Sequence, residues 1–335
     1  MAKVNLGSEL SRATSLLIRA GLEPNHAETS AKAIIASDRW GIGSHGLMRL
    51  PFYLERLSAG GINPQATLTT VTDMPSLVVK NGANGLGHWQ LQAAAELAGD
   101  RALINGIAAV GVGASSHCGA LGIYTASITR KGLVGIIFSN GPAVMPPWGG
   151  KKSVLSTSPI AAGIPTTPPT IIDMATSAVA RGKIAAKAQA NEPLEPGWAF
   201  SADGEPTTDA KIALTGMLAP LGGAKGYALA VLVESLTGAL IGPTLAANMP
   251  DMFVLDDAAK PQGISHFVIA IDAKKLTVDG SHDRLDSFVG SVHDAGGRMP
   301  GTNRVDPENL NQSDEITVAD TVLAQLADWD AKLSS

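Results

Sequence analysis

Ser44, His45 and Arg49 lie in the segment Asp38-Arg-Trp-Gly-Ile-Gly-Ser-His-Gly-Leu-Met-Arg-Leu50, a glycine-rich turn that sets an acid/base group beside a carboxylate clamp. An imidazole exchanges protons near neutral pH, and a planar guanidinium matches a carboxylate bidentately. Arg49 follows His45 by four residues, a spacing that turns both side chains to one side of a helix. Together they suit a small substrate with a carboxylate beside a carbonyl or hydroxyl. The same residues also fit a plainer role, in which Gly41, Gly43 and Gly46 shape a turn, His45 caps a helix and Arg49 is surface charge. A serine hydrolase fits worse, because the elbow Gly-x-Ser-x-Gly requires Gly where this chain has Ile42.

His117 is the second candidate for chemistry. It sits in Ala108-Ala-Val-Gly-Val-Gly-Ala-Ser-Ser-His-Cys-Gly-Ala-Leu-Gly-Ile-Tyr124, where a strand leads into a helix. That context suits a dinucleotide fingerprint, but Gly-x-Gly-x-x-Gly would place its third glycine at Ser116, and no acidic residue closes the next strand. Cys118 beside it is no ready partner, since adjacent side chains on an extended segment point apart. The seven histidines show neither HxH nor HxxxH spacing, so no metal site is expected. Three loops are built to meet anions: 142–152, ending in Lys151 and Lys152; 173–183, ending in Arg181 and Lys183; and 220–226, with Lys225 at a helix N-terminus. Singly each lysine reads as solvated charge, while together they point to a phosphorylated cofactor.

Regular structure must hold these groups. Apolar residues recur at helical spacing over 10–20 and 27–36, separated by the breaker Gly21-Leu-Glu-Pro24, and a further helix is expected over 48–57. β-Branched runs at 76–80 and 107–112 flank an Ala-rich helix at 91–104, and a strand follows at 133–139. This alternation predicts an α/β region with a parallel sheet. Strands at 171–174 and 266–271 bracket an apolar helix over 227–240, expected to be buried, and residues 317–332 read as a helix returning to the N-terminal ones.

The 335 residues, 45% hydrophobic and 16% charged, can bury a large core, expected as two domains. A net charge of -5 without a basic stripe argues against nucleic acid as a partner. The single cysteine excludes an internal disulfide framework and fits a reducing compartment. The N-terminus lacks the apolar core of a signal peptide, and the greasiest stretch, 226–240, is too short and too interrupted to span a bilayer. A cytoplasmic protein is expected, without membrane contact. On base rates for Ala- and Gly-rich chains, it is expected to be a homodimer.

The motif set Ser44-His45-Gly46 with Arg49, Ser116-His117-Cys-Gly119 with Gly122 and Tyr124, Met145-Pro-Pro-Trp148-Gly149, Ser158-Pro159, Asp173-Met-Ala-Thr-Ser177, Gly182-Lys183, 222–227 and Pro300-Gly301 resembles the type-2 malate/L-lactate dehydrogenase-like oxidoreductases. The resemblance implies an α/β (α+β), non-Rossmann NAD(P)-binding domain on a largely antiparallel seven-stranded sheet, residues 76–294. It is joined to a helical domain built from 1–75 with 295–335, in a dimer with intersubunit active sites, and this displaces the parallel-sheet expectation. It implies hydride exchange between a 2-oxo acid and its 2-hydroxy acid, with His45 as proton donor, Ser44 orienting it and Arg49 on the carboxylate. Some members give the acid/base role to the residue matching His117, so the two histidines compete.

The matching cofactor contacts are His117, Cys118, Gly119, Ala120 and Leu121; Asp173, Met174 and Ala175; Ala224 and Lys225; and Gly301, Thr302 and Asn303. NADP is slightly preferred to NAD, with Arg181 or Lys187 as the cation for a 2'-phosphate, and Lys183 and Trp148 join Arg49 as substrate contacts. A branch reducing cyclic imino acids has Asp where this chain has Lys183. The change removes a carboxylate that would raise the pKa of His45 and favours a 2-oxo acid with a second anion, such as sulfopyruvate or oxaloacetate. Gly301-Thr-Asn303 also departs from the family's Gly-x-Glu ending. Imine reduction and non-catalytic NAD(P) binding stand as the alternatives.

Overall fold

The computed structural model describes residues 1–251, 254–277 and 281–334. Its N-terminus forms strand β1 (Ala2–Asn5) and helices α1 (Leu6–Arg19), α2 (Pro24–Arg39) and α3 (Leu50–Ala59). Capping fixes where the first two begin. Asn5 accepts the Ser8 N–H at 2.9 Å, and Glu23 accepts the N–H groups of Asn25 and His26 ahead of Pro24 in the first turn. The chain's other end returns here. Strand β12 (Glu315–Val318) pairs antiparallel with β1, and helix α10 (Asp320–Lys332) packs on α3. Leu6, Leu16, Leu17, Ile34, Ile35, Leu50, Tyr53 and Leu54 share one apolar core with Val322, Leu326 and Trp329. The helix expected from 317 thus starts only at Asp320, because 315–318 are committed to the ladder with β1.

A seven-stranded sheet fills the middle of the chain. It comprises β2 (Thr69–Met74), β3 (Leu77–Asn81), β4 (Ile107–Ser115), β5 (Leu133–Ser139), β6 (Ile160–Ile164), β7 (Thr170–Met174) and β11 (Ile264–Asp272), in the order β2-β3-β4-β11-β5-β6-β7. Only β3 and β4 are parallel, joined by the crossover helix α4 (Gly87–Asn105). The other pairings are antiparallel, as the family resemblance implied. Strand–helix alternation misled for a topological reason. The long strand β11 inserts between β4 and β5, antiparallel to both, and its Val268 and Ala270 are buried. The short helix α5 (Thr125–Thr129) and α4 contribute to the core beside the sheet.

A third apolar cluster joins α6 (Arg181–Ala190), a small sheet of β8 (Ala199–Phe200), β9 (Pro206–Thr207) and β10 (Met217–Leu218), α7 (Ala210–Leu214) and α8 (Ala224–Glu234). Helix α8 runs on into a π-helical turn, Ser235–Ala239, and α9 (Ser281–Asp294) follows later. The expectation that the helix over 227–240 is buried is corrected. Ala230 and Val233 are buried, but Leu229, Val231 and Leu232 stand open to solvent, and Leu240 is 77% exposed. The helix is apolar all round, and the single chain covers one side of it. Among the described residues, no helix is long and apolar enough to cross a membrane.

Candidate active site

Ser44 and His45 occupy a 3-10 turn (Gly43–His45) at the exit from α2, and Arg49 ends a second one (Leu47–Arg49). The helix expected from residue 48 therefore begins two residues later, as α3 at Leu50, because Leu47–Arg49 form the second turn. Asp38, at the C-terminal end of α2, holds the bend by accepting the Leu47 N–H at 2.7 Å. A Cβ on Gly46 would stand 2.1 Å from Asp38 Oδ1, so the carboxylate and the turn close on each other only with glycine there. Burial pushes the Asp38 carboxyl up to about 7.

Within the turn, Ser44 Oγ lies 3.0 Å from His45 Nδ1, and Arg49 Nε donates to the Ser44 carbonyl at 2.7 Å. Three groups are therefore locked by contacts five residues apart or fewer. Burial, and then the Arg49 charge, lower His45 to about 4. Lys183 is not among the causes. It is exposed on α6 and makes no hydrogen bond or ion pair with the turn among the described residues. Trp148 packs across Gly223, where a Cβ would meet its ring at 3.1 Å, but it is 62% exposed and makes no contact with His45 among the described residues.

His117 reaches the same place from the end of β4. Its ring lies 5.7 Å from that of His45, at an interplanar angle of 21°. Tyr53, from α3, places its hydroxyl 2.7 Å from His117 Nδ1, and the Gly119 N–H points to the same nitrogen at 3.3 Å. Burial drives the Tyr53 phenol far above its ordinary value, so it stays protonated and donates. With Nδ1 accepting, neutral His117 carries its proton on Nε2. Burial and the neighbouring charges hold His117 well below its usual range. The pair thus offers two different functions: His45, beside a serine hydroxyl, can move a proton, and His117 can donate a hydrogen bond without changing charge.

Behind them lies a polar layer that the sequence did not announce. His88, from α4, meets Tyr53 edge-on at 4.9 Å; it is buried, neither of its nitrogens has a partner among the described residues, and burial lowers it to about 3. His266, at the heart of β11, sits between Ser139 (2.9 Å from Nδ1) and Ser115 (3.1 Å from Nε2), and burial lowers it to about 4. No spacing rule could have joined Tyr53, His88, His117 and His266. Only the convergence of α3, α4, β4 and β11 does so.

The expected cofactor segments fall into three groups. Asp173 accepts the Gly122 N–H at 2.9 Å, which ties the 117–122 loop to 173–175, while Cys118, Ala120 and Leu121 are buried in the sheet core. Burial pushes the Cys118 thiol up to about 12, which removes it as a nucleophile. Ala224 and Lys225, both exposed, open α8. Gly301, Thr302 and Asn303 line a cleft of about 720 Å³ together with Trp40, Gly41, Arg298 and Arg304. Gly301 has φ +70°, and a Cβ there would lie 2.5 Å from the Ile171 carbonyl. Arg304 Nη1 is buried in this wall without a hydrogen-bond partner among the described residues. An orphaned guanidinium nitrogen in a wide cleft fits a phosphate-bearing cofactor. The cations expected for a 2'-phosphate fit less well, since Arg181 pairs with Asp251 at 3.4 Å and Lys187 with Glu192 at 3.1 Å. Among the described residues, no three His, Cys, Asp or Glu side chains gather as a metal site would require.

The family model described as malate/L-lactate dehydrogenase matches residues 8–327. The chain is 36% identical over 295 residues to the (2R)-3-sulfolactate dehydrogenase (NADP(+)) of Chromohalobacter salexigens, covering 87% of each. It is 30% identical over 333 residues to a Δ1-pyrroline-2-carboxylate/Δ1-piperideine-2-carboxylate reductase of Pseudomonas aeruginosa, covering 97% of this chain and 98% of the relative. The solved sulfolactate dehydrogenase of Methanocaldococcus jannaschii superposes with a TM-score of 0.88 at 27% identity, over 99% of this chain and 98% of that one.

Proposed function

The chain belongs to the malate/L-lactate dehydrogenase family and is an NAD(P)-dependent 2-hydroxy-acid oxidoreductase, and from that premise we propose that its substrate is a 2-oxo acid with a second anionic group, of the sulfopyruvate or oxaloacetate type. The observation that carries the 2-oxo acid reading is the Ser44–His45–Arg49 turn, and the second anionic group is supported by the sulfolactate and malate dehydrogenase relatives. A bound nicotinamide supplies or accepts the hydride. Arg49 holds the substrate carboxylate, so that the C2 oxygen comes to lie between His45 and His117. His45, neutral at rest, takes the hydroxyl proton in oxidation and returns it in reduction, while Ser44 fixes its ring. His117 donates Nε2–H to the same oxygen and steadies charge there.

The resting depression of His45 fits an anionic substrate. An anion arriving within a few ångströms favours the imidazolium and restores the proton needed for reduction, the more so with two negative charges. Reduction of a cyclic imino acid remains the competing reading, favoured by the pyrroline-2-carboxylate reductase relative that matches nearly the whole chain. Initial rates with sulfopyruvate, oxaloacetate, pyruvate and Δ1-piperideine-2-carboxylate, followed by nicotinamide absorbance, decide between them. Turnover of the imine well above either dianion would overturn the proposal.

On this reading NADP is preferred to NAD, in keeping with the NADP(+) in the name of the sulfolactate relative. The helical unit of 1–75 with 295–335, less the strand β2 (Thr69–Met74) that belongs to the seven-stranded sheet, contributes His45 and Arg49, and the cofactor unit built on that sheet contributes His117. Two copies associate through the open apolar side of α8, where Leu229, Leu232 and Leu240 would otherwise stay in water. Light scattering tests this directly. A wild-type monomer at micromolar concentration would refute the dimer.

A further inference from the structure

We infer that Arg304, supported by Arg298, is the phosphate-binding group of the dinucleotide site, a role that rests on the nicotinamide reading above and that neither arginine had in the family motifs. The cleft of about 720 Å³ contains three arginines, and they are not equivalent. Arg39 is neutralised by Asp314, with Nε 2.8 Å from the carboxylate. Arg298 and Arg304 form no ion pair among the described residues, so the cleft carries excess positive charge, tempered by Asp173 near Arg304.

Arg304 is also held in place for a ligand. Its guanidinium lies over the Trp40 ring at 5.1 Å, and the Trp40 indole N–H donates to the Val305 carbonyl at 2.8 Å. The backbone around it is a pinned turn: Arg304 N–H bonds the Gly301 carbonyl at 2.9 Å, and Ile171 N–H bonds the Pro300 carbonyl at 3.0 Å. The Trp40 contact restrains the guanidinium, while Nη1 is buried without a hydrogen-bond partner among the described residues. Leaving a charged donor buried and unsatisfied is costly, and a phosphate oxygen meets that need with a short, charge-assisted hydrogen bond. Arg298, exposed on the rim, adds charge at longer range.

Both the pyrophosphate and a 2'-phosphate present this chemistry, and calorimetric titration separates them. Dissociation constants for NADPH, NADH and inorganic pyrophosphate are measured with wild type, Arg304→Gln, Arg304→Lys and Arg298→Gln, after circular dichroism and thermal melts establish folding. Arg304→Gln is expected to weaken NADPH at least about tenfold, Arg298→Gln about threefold, and Arg304→Lys less than Arg304→Gln. Loss confined to NADPH assigns the 2'-phosphate, and equal loss for both dinucleotides assigns the pyrophosphate. Unchanged binding of both in folded Arg304→Gln overturns the inference. Wild type that binds neither dinucleotide overturns the nicotinamide reading instead; the phosphate site then stands only if pyrophosphate binds wild type and not Arg304→Gln, and otherwise falls with it.

Discussion

The two histidines at the centre of the site are held by opposite kinds of structure. His45 is fixed within its own turn, by Ser44 next to it and by Arg49 reaching back to the Ser44 carbonyl. His117 is fixed mainly from afar, by Tyr53 from a helix 64 residues earlier, with His88 and His266 behind. A short-range lock survives small shifts in how elements pack and can be read from spacing. A long-range lock exists only once the core has formed, and it makes chemistry depend on packing.

Mutations can break this contrast. The largest effect is expected from His45→Gln, which removes the proposed proton-moving group and should lower kcat by about 10² to 10⁴-fold. If activity survives and His117→Gln abolishes it instead, the roles of the two rings are reversed. Arg49→Met should cost kcat/KM about 10²-fold, mostly through KM, because two charge-assisted hydrogen bonds to the carboxylate are lost. An effect confined to kcat would mean that Arg49 orients the turn and does not hold substrate.

Tyr53→Phe probes the long-range lock. It removes the donor to His117 Nδ1 at the cost of one hydroxyl, and it should lower kcat by about tenfold with little change in KM. Nitrogen NMR of His117 should show the Nε2–H tautomer in wild type and a mixture in the variant. A single unchanged tautomer would show that Gly119 alone suffices.

The smallest effect concerns stability against pH, and it sharpens the comparison because the polar layer behind His117 is the deeper one. His88 is lowered to about 3 when folded, so between there and its ordinary value near 6.5 the unfolded chain binds more protons. Its contribution is therefore present above pH 6.5 and lost on acidification, by about 1.4 kcal/mol per pH unit once well below 6.5. Asp38, raised to about 7, acts in the opposite sense and favours the folded state as pH falls from 7 toward 4. Urea midpoints at pH 7 and pH 5 should draw closer together in His88→Phe than in wild type. An unchanged gap would remove His88 as a source of acid sensitivity.

Local chemistry explains what could be read in advance. The helices α1 and α2 follow from apolar spacing and end signals, and β5 matches its apolar run residue for residue. Ser44, His45 and Arg49 were visible because their contacts are close in sequence. His117 was visible as a motif, but not Tyr53, which reads as one more apolar position on α3, nor His266 inside an apolar strand. Arg304 was missed although it directly follows the expected cofactor contacts 301–303, because an arginine at the end of a loop reads as surface charge. Its signal is the Trp40 face and the orphaned Nη1, both products of folding.

By itself the sequence determined the Ser44–His45–Arg49 turn, the composition of the cores and, through its motifs, the family and the antiparallel sheet that goes with it. Side chains within a turn meet because the backbone between them has few conformations. Tertiary structure alone decided that β11 would separate β4 from β5, that one side of α8 would stay uncovered, and that His117 would be held by Tyr53 and Arg304 left facing a cleft. Those contacts join residues tens to hundreds of positions apart, and their geometry is set by how whole elements pack, which no local pattern of residues encodes.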